Sequence, residues 1–163
     1  QDAGNTTTLA HYLDLLAGAG MVVGLQKYTA EVVRSRASSP KLQVLNTALV
    51  SATVELDPAE AKADPERWGR LVESAVGAHL ANAAAVGDCH LFYWRERNRE
   101  VDFVVQAGRQ LVAIEVKSGR RRDALPGMAA FAAAYRPTRQ LLVGGDGIPV
   151  AEFLARPVSD WLR

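Results

Sequence analysis

Asp102, Glu115 and Lys117 have types and spacing that suit divalent-cation chemistry. Asp102 lies in the run EVDFVVQ, and Glu115 and Lys117 lie in LVAIEVKS. Both runs are rich in Val, Ile, Leu and Phe, as strands are. Successive strand residues point to opposite faces, so Glu115 and Lys117 share one face and Ile114 and Val116 the other. Ala107-Gly108-Arg109 between the runs reads as a short hairpin turn. A turn centred near Gly108-Arg109 sets Asp102 across from Glu115, and a slip of one residue would break that pairing. Carboxylates embedded in apolar strands cost free energy unless something compensates them, and neighbouring carboxylates repel. A divalent cation relieves both problems. Mg²⁺, with Mn²⁺ as its substitute, takes oxygen ligands, keeps several waters and is commonly held by one or two carboxylates plus substrate phosphate. Asp102 and Glu115 are the expected ligands, and the carbonyl of Val116 could add another. Lys117 beside a metal-held water has two chemical uses. It can orient and help deprotonate the water, or it can stabilise charge developing on a phosphate.

These residues need a scaffold, and the flanking sequence predicts one. Trp68, Leu71, Val72, Ala75, Val76, His79 and Leu80 recur at steps of three and four, predicting a helix over Arg67–Val86. Strands are expected at His90–Arg95, Glu100–Gln106 and Leu111–Ser118. An alanine-rich helix follows over Asp123–Tyr135, stopped by Pro137, and then a short buried strand at Gln140–Val143. The order is helix, three-stranded meander, crossover helix, strand. Upstream, Leu9, Tyr12, Leu13, Leu15 and Leu16 predict a helix closed by Gly18 and Gly20, with a packing role preferred to DNA reading. Met21–Tyr28 and Lys41–Leu45 then read as a two-stranded ribbon. Residues 1–55 are therefore expected to form a partial winged-helix-like segment, 56–66 a linker, and 67–163 an α/β domain.

Asp102 followed after twelve residues by Glu115-Val116-Lys117 resembles the PD-(D/E)XK nuclease signature, with Glu100-Val101 where Pro can precede the motif Asp. The resemblance implies a restriction-endonuclease-like core. It also implies a further acid on the N-terminal helix facing the metal, a role that Glu73 in RLVESAVGAHL matches. A narrower resemblance covers nearly the whole sequence. TLAHYLDLLAGAGMVVGLQKY, SPKLQVLNTAL, WGRLVESAVGAHL, YWRERNREVDFVV and AIEVKSG look like the C-terminal domain of unknown function of bacterial and archaeal AAA-type ATPases. That implies an ATPase N-terminal to these residues. The sequence has no G-x-x-x-x-G-K-[ST] loop and is not expected to hydrolyse ATP itself.

The bulk numbers bound these readings. With 163 residues, 48% of them hydrophobic, the protein can bury a core, and no apolar run approaches the roughly 20 residues of a membrane span. It begins with Gln1 and reads as a piece of a longer protein. Cys89 is alone, which excludes an internal disulfide and points to a cytoplasmic location. Residues 67–122 carry 10 Lys/Arg against 6 Asp/Glu, whereas residues 1–66 carry 5 against 8. The basic excess thus coincides with the suspected site, as a nucleic acid, DNA in preference to RNA, would require. Arg95, Arg97 and Arg99 could share a face and meet phosphates, or pair with Glu96 and Glu100 as a solvated rim. Arg120, Arg121 and Arg122 follow the Lys117 strand and could lie along a phosphate backbone. Tyr93 and Trp94 are expected in the core rather than stacked on bases, and His11, His79 and His90 lack metal-ligand spacing. The functional expectation is a Mg²⁺-dependent phosphodiester-cleaving domain. Its rival is a non-catalytic module that docks a partner or nucleic acid and regulates the ATPase.

Overall fold

The computed structural model describes residues 6–29, 39–52, 57–119 and 125–163. Asp64 starts the helix that organises the fold. Its carboxylate accepts from the N–H groups of Glu66 and Arg67, and Pro65 fills the first helical position, where no N–H is needed. The helix runs Pro65–Ala85 and buries Val72, Val76, Gly77, Ala78, Leu80 and Ala81 on one face. The preceding segment was expected to be a linker. It is instead a short helix, Pro58–Ala63, closed by a reciprocal cap between Asp57 and Glu60. Linker composition and capping composition use the same Asp, Glu and Pro, which is why the sequence pattern misled.

In sequence order the helices are α1 (Thr6–Gly18), α2 (Thr47–Ala52), α3 (Pro58–Ala63), α4 (Pro65–Ala85), α5 (Pro126–Tyr135), α6 (Val150–Ala155) and α7 (Val158–Trp161). The strands are β1 (Val22–Lys27), β2 (Lys41–Val44), β3 (His90–Glu96), β4 (Arg99–Ala107), β5 (Gln110–Lys117) and β6 (Arg139–Gly144). They form one six-stranded sheet in the order β2-β1-β3-β4-β5-β6. β3, β4 and β5 are the expected meander, and α5 crosses over to bring in β6 parallel to β5. The expected ribbon β1–β2 is present as well, but it does not stand apart. β1 joins the edge of β3 through two parallel pairs, Gln26↔Phe92 and Lys27↔Tyr93.

Two apolar layers enclose the sheet. On one side Val72, Val76 and Leu80 of α4 pack with Phe103, Val112, Ile114, Val116, Val143, Phe153 and Trp161. On the other, Met128 and Phe131 of α5 pack with Trp94, Val101, Val104 and Ala113. Tyr93 and Trp94 are core residues, as expected. α1 contacts β1, and it leaves Tyr12 and Leu15 58% and 55% exposed.

Val101 and Phe103 are two residues apart yet belong to opposite layers. The cause is a β-bulge. Phe92 pairs with Val104 and Trp94 with Val101, so Tyr93 alone faces both Asp102 and Phe103. A bulge bends its strand and re-aims a side chain, and here its two residues on β4 are Asp102 and Phe103.

Gly127 marks the closest approach of α5 to β4. A Cβ there would collide with the carbonyl oxygen of Glu100. Alanine normally stabilises a helix by about 1 kcal/mol over glycine. Gly127→Ala is expected to do the opposite and lose about 1–3 kcal/mol, the range for overpacking. Urea denaturation measures the sign, and a gain in stability would contradict the close approach.

Candidate metal centre

The hairpin β4–β5 holds its register through Ala107↔Gln110 and up to Phe103↔Ile114. The ladder ends there, one residue short of Asp102 and Glu115. There the backbone ladder gives way to a side chain: the N–H of Val116 donates to Asp102 Oδ2 at 2.8 Å. On β5, Ile114 and Val116 lie in the layer beneath α4. Glu115 and Lys117 therefore leave the strand on the other side, where Lys117 Nζ donates to Glu115 Oε1 at 2.7 Å.

Glu115 is 9% exposed, and its Oε2 is buried with no hydrogen-bond partner among the described residues. A carboxylate oxygen in that condition is costly and normally acquires a partner. Asp102 is under stress of the same kind. Burial, then the charges of Glu115 and Glu73, push its carboxyl up to about 7, against the opposing pull of the Val116 N–H and Lys41. Lys117 is shifted in favour of its charged form. Burial works against that charge, yet the hydrogen bond to Glu115 and the nearby charges of Glu115, Asp102 and Glu73 hold its ammonium above the usual lysine range.

Glu73 stands on α4 and reaches this field from the opposite layer. Its Oε1 accepts from Lys41 Nζ of β2 at 2.6 Å. Lys41 also lies 3.7 Å from Glu100 and 5.2 Å from the centre of the Phe103 ring. Asp102, Glu115 and Lys117 are thus brought together. Glu73 contributes charge to them but is held by a different partner. No three His, Cys, Asp or Glu side chains among the described residues are grouped closely enough to hold a metal ion as they stand.

Lys41 is absent from the motif reading. The signal for it was an inverted strand. In KLQV the expected buried residues are Leu42 and Val44, yet Gln43 is 4% exposed and Leu42 is 52% exposed. Gln43 Nε2 donates to the carbonyls of Val44 and Ser74, which turns the polar face of β2 toward α4 and carries Lys41 with it.

Arg95, Arg97 and Arg99 do not form one basic face. Arg95 pairs across the hairpin with Glu100, and Arg99 with Glu96, so Arg95 and Arg99 lie on opposite faces. Arg95 Nε is 3.7 Å from Glu100 Oε2, the rim pairing. Arg97 occupies the turn at φ 54°, where a side chain is disfavoured. Arg120, Arg121 and Arg122 lie outside the described residues.

A family model for a domain of unknown function, DUF4143, matches residues 68–150. That is half of the sequence, and it contains Glu73, Asp102, Glu115 and Lys117. The chain belongs to the DUF4143 family. No curated protein matches it. Among solved structures, the crystal structure of protein VC1899 from Vibrio cholerae aligns at 18% identity. The alignment covers 85% of this chain and 40% of that one, with a TM-score of 0.28, too low to argue a shared fold. The DUF4143 match begins after β2, so Lys41 lies outside it.

The state of Asp102 has a measurable consequence. The folded protein keeps the Asp102 proton up to about pH 7, while the unfolded protein releases it near 3.8. Between those values the unfolded state binds fewer protons, so this carboxyl lowers stability as pH rises. Asp102→Asn removes the charge and can keep the bond from Val116. Its stability advantage is expected to grow between about pH 4 and pH 7, reach a few kcal/mol at most, and level off above. Thermal denaturation of both proteins across that range tests this. An advantage that shrinks with rising pH would contradict the burial.

Proposed function

We propose that this member of the DUF4143 family holds a divalent-cation site that acts on nucleic-acid phosphodiesters. The observation that carries the reading is the buried Oε2 of Glu115, unpartnered among the described residues, beside a second carboxylate, Asp102, whose pKa burial and repulsion raise to about 7. Two carboxylates in that condition fit Mg²⁺ or Mn²⁺, which are commonly held by one or two acids and completed by water and substrate phosphate. Asp102 and Glu115 would hold the cation, with the Val116 carbonyl and Glu73 available to assist. When bound, it would lower the pKa of a water and polarise the phosphate.

The protein's own residues then have separate tasks. The Val116 N–H fixes one oxygen of Asp102 and so orients the other. Lys117 retains its ammonium proton at neutral pH, which suits donation to a phosphate oxygen and not removal of a proton from water. Of its two possible roles, the electrostatic one is favoured. Arg95 lines the groove beside Lys41 and Glu100 and is the one arginine of the β3–β4 hairpin so placed among the described residues, where it suits contact with a phosphate.

One observation favours the non-catalytic reading. Glu115 and Glu73 are each already neutralised by a lysine, Lys117 and Lys41 respectively. A binding module that follows the ATPase part of an AAA-type protein, as the residue resemblance implies, would need no more. Two measurements separate the readings. Calorimetric titration with Mn²⁺ is expected to show binding that Glu115→Ala weakens at least tenfold. Cleavage of single-stranded and branched DNA with Mg²⁺ or Mn²⁺ is expected to fall by about 100-fold or more in Lys117→Ala, in keeping with loss of a charge-stabilising donor. Mn²⁺ binding unaffected by Glu115→Ala would end the cation reading. Binding without cleavage would leave the regulatory module.

A further inference from the structure

Lys41 is an expensive residue to place where it is. Putting it among the acids requires β2 to present Lys41 and Gln43 inward and to leave Leu42 facing solvent. A one-residue change of register would bury Leu42 and Val44 instead, worth about 1.5–3 kcal/mol for a fully buried leucine. What the observed register gains is a cation at the acids. Lys41 Nζ is 2.6 Å from Glu73 and 3.7 Å from Glu100, with its charge also felt at Asp102. The charged and polar groups around it come from α4, β4 and β3: Glu73, Glu100, Asp102 and Arg95. The ammonium is not sealed in. Its side chain is 24% exposed. It lines an open groove of about 380 Å³ with Ser39, Pro40, Tyr93, Arg95 and Glu100.

We infer that Lys41 is a resident counter-ion of the candidate metal centre, a positioning residue that neutralises Glu73 and Glu100 while no divalent cation is bound and competes with that cation for the acids. The inference rests on the cation reading above and adds a control to it. The N-terminal ribbon, which lies outside the family match, sets how tightly the centre binds metal. With Lys41 in place the site carries a charge that repels an incoming divalent ion. Without it, Glu73 is freed. A single charge removed several ångströms from a divalent ion, at an effective dielectric between protein surface and water, changes affinity by about tenfold or more.

The test is Mn²⁺ titration by calorimetry on residues 1–163 in four forms: wild type, Lys41→Met, Lys41→Arg and Glu115→Ala. Circular dichroism confirms folding, and Lys41→Gln replaces Lys41→Met if the latter does not fold. Lys41→Met is expected to bind Mn²⁺ about tenfold tighter than wild type, and Lys41→Arg to stay within about twofold, because it restores the charge. A purely structural lysine would change stability and leave affinity unmoved. Equal or weaker Mn²⁺ binding by folded Lys41→Met overturns the counter-ion role alone, provided that wild type binds and Glu115→Ala binds at least tenfold more weakly. Absence of binding in every form overturns the cation reading and this inference with it.

Discussion

The hydrogen bond from the Val116 N–H to the Asp102 carboxylate is the constraint around which the site is organised. It lies where the β4–β5 ladder stops, so one side chain substitutes for a strand's backbone acceptor. That substitution requires the bulge opposite Tyr93, which re-aims Asp102 out of the regular alternation. It also requires burial, because a solvated carboxylate would exchange the backbone N–H for water. Burial in turn raises the cost of ionising Asp102 beside Glu115 and Glu73. The features of the site are therefore linked. The geometry that holds Asp102 in place is the same geometry that makes its charge uncomfortable, and a cation or a proton settles the balance.

The strand pattern made much of this legible. Alternation in LVAIEVKS put Glu115 and Lys117 together, and the glycine turn placed the hairpin register that runs up to Phe103↔Ile114. The helix–meander–helix–strand order from α4 to β6 could also be read directly from periodicity. What alternation could not show was its own failure at the bulge, because no residue type announces that Tyr93 will face two partners. It also misled over β2. Hydrophobic patterning assigns Leu42 to the interior, whereas hydrogen bonding by Gln43 to two backbone carbonyls reverses the strand. Lys41 was therefore invisible to a reading based on apolar periodicity, and so was its ion pair with Glu73.

The misread linker teaches a related lesson. Asp57, Pro58, Glu60, Asp64 and Pro65 look like a solvated connector, but each occupies a cap or a first-turn position. Helix starts and loops draw on one vocabulary, and the distinction lies in spacing: an acid, then proline, then an acid one or two residues on. Likewise the arginines of the β3–β4 hairpin alternate in sequence, yet the turn at Arg97 sends Arg95 and Arg99 to opposite faces.

The seam between β1 and β3 consists of two parallel pairs, whereas β3, β4 and β5 are joined by long antiparallel ladders. The acids Asp102 and Glu115 and the ammonium of Lys117 belong to the strongly knit part. Lys41 belongs to the lightly stitched part. A fragment trimmed to residues 68–150 would keep the motif intact and still carry one fewer positive charge against it. Assays on such a fragment would report the electrostatics of a different site.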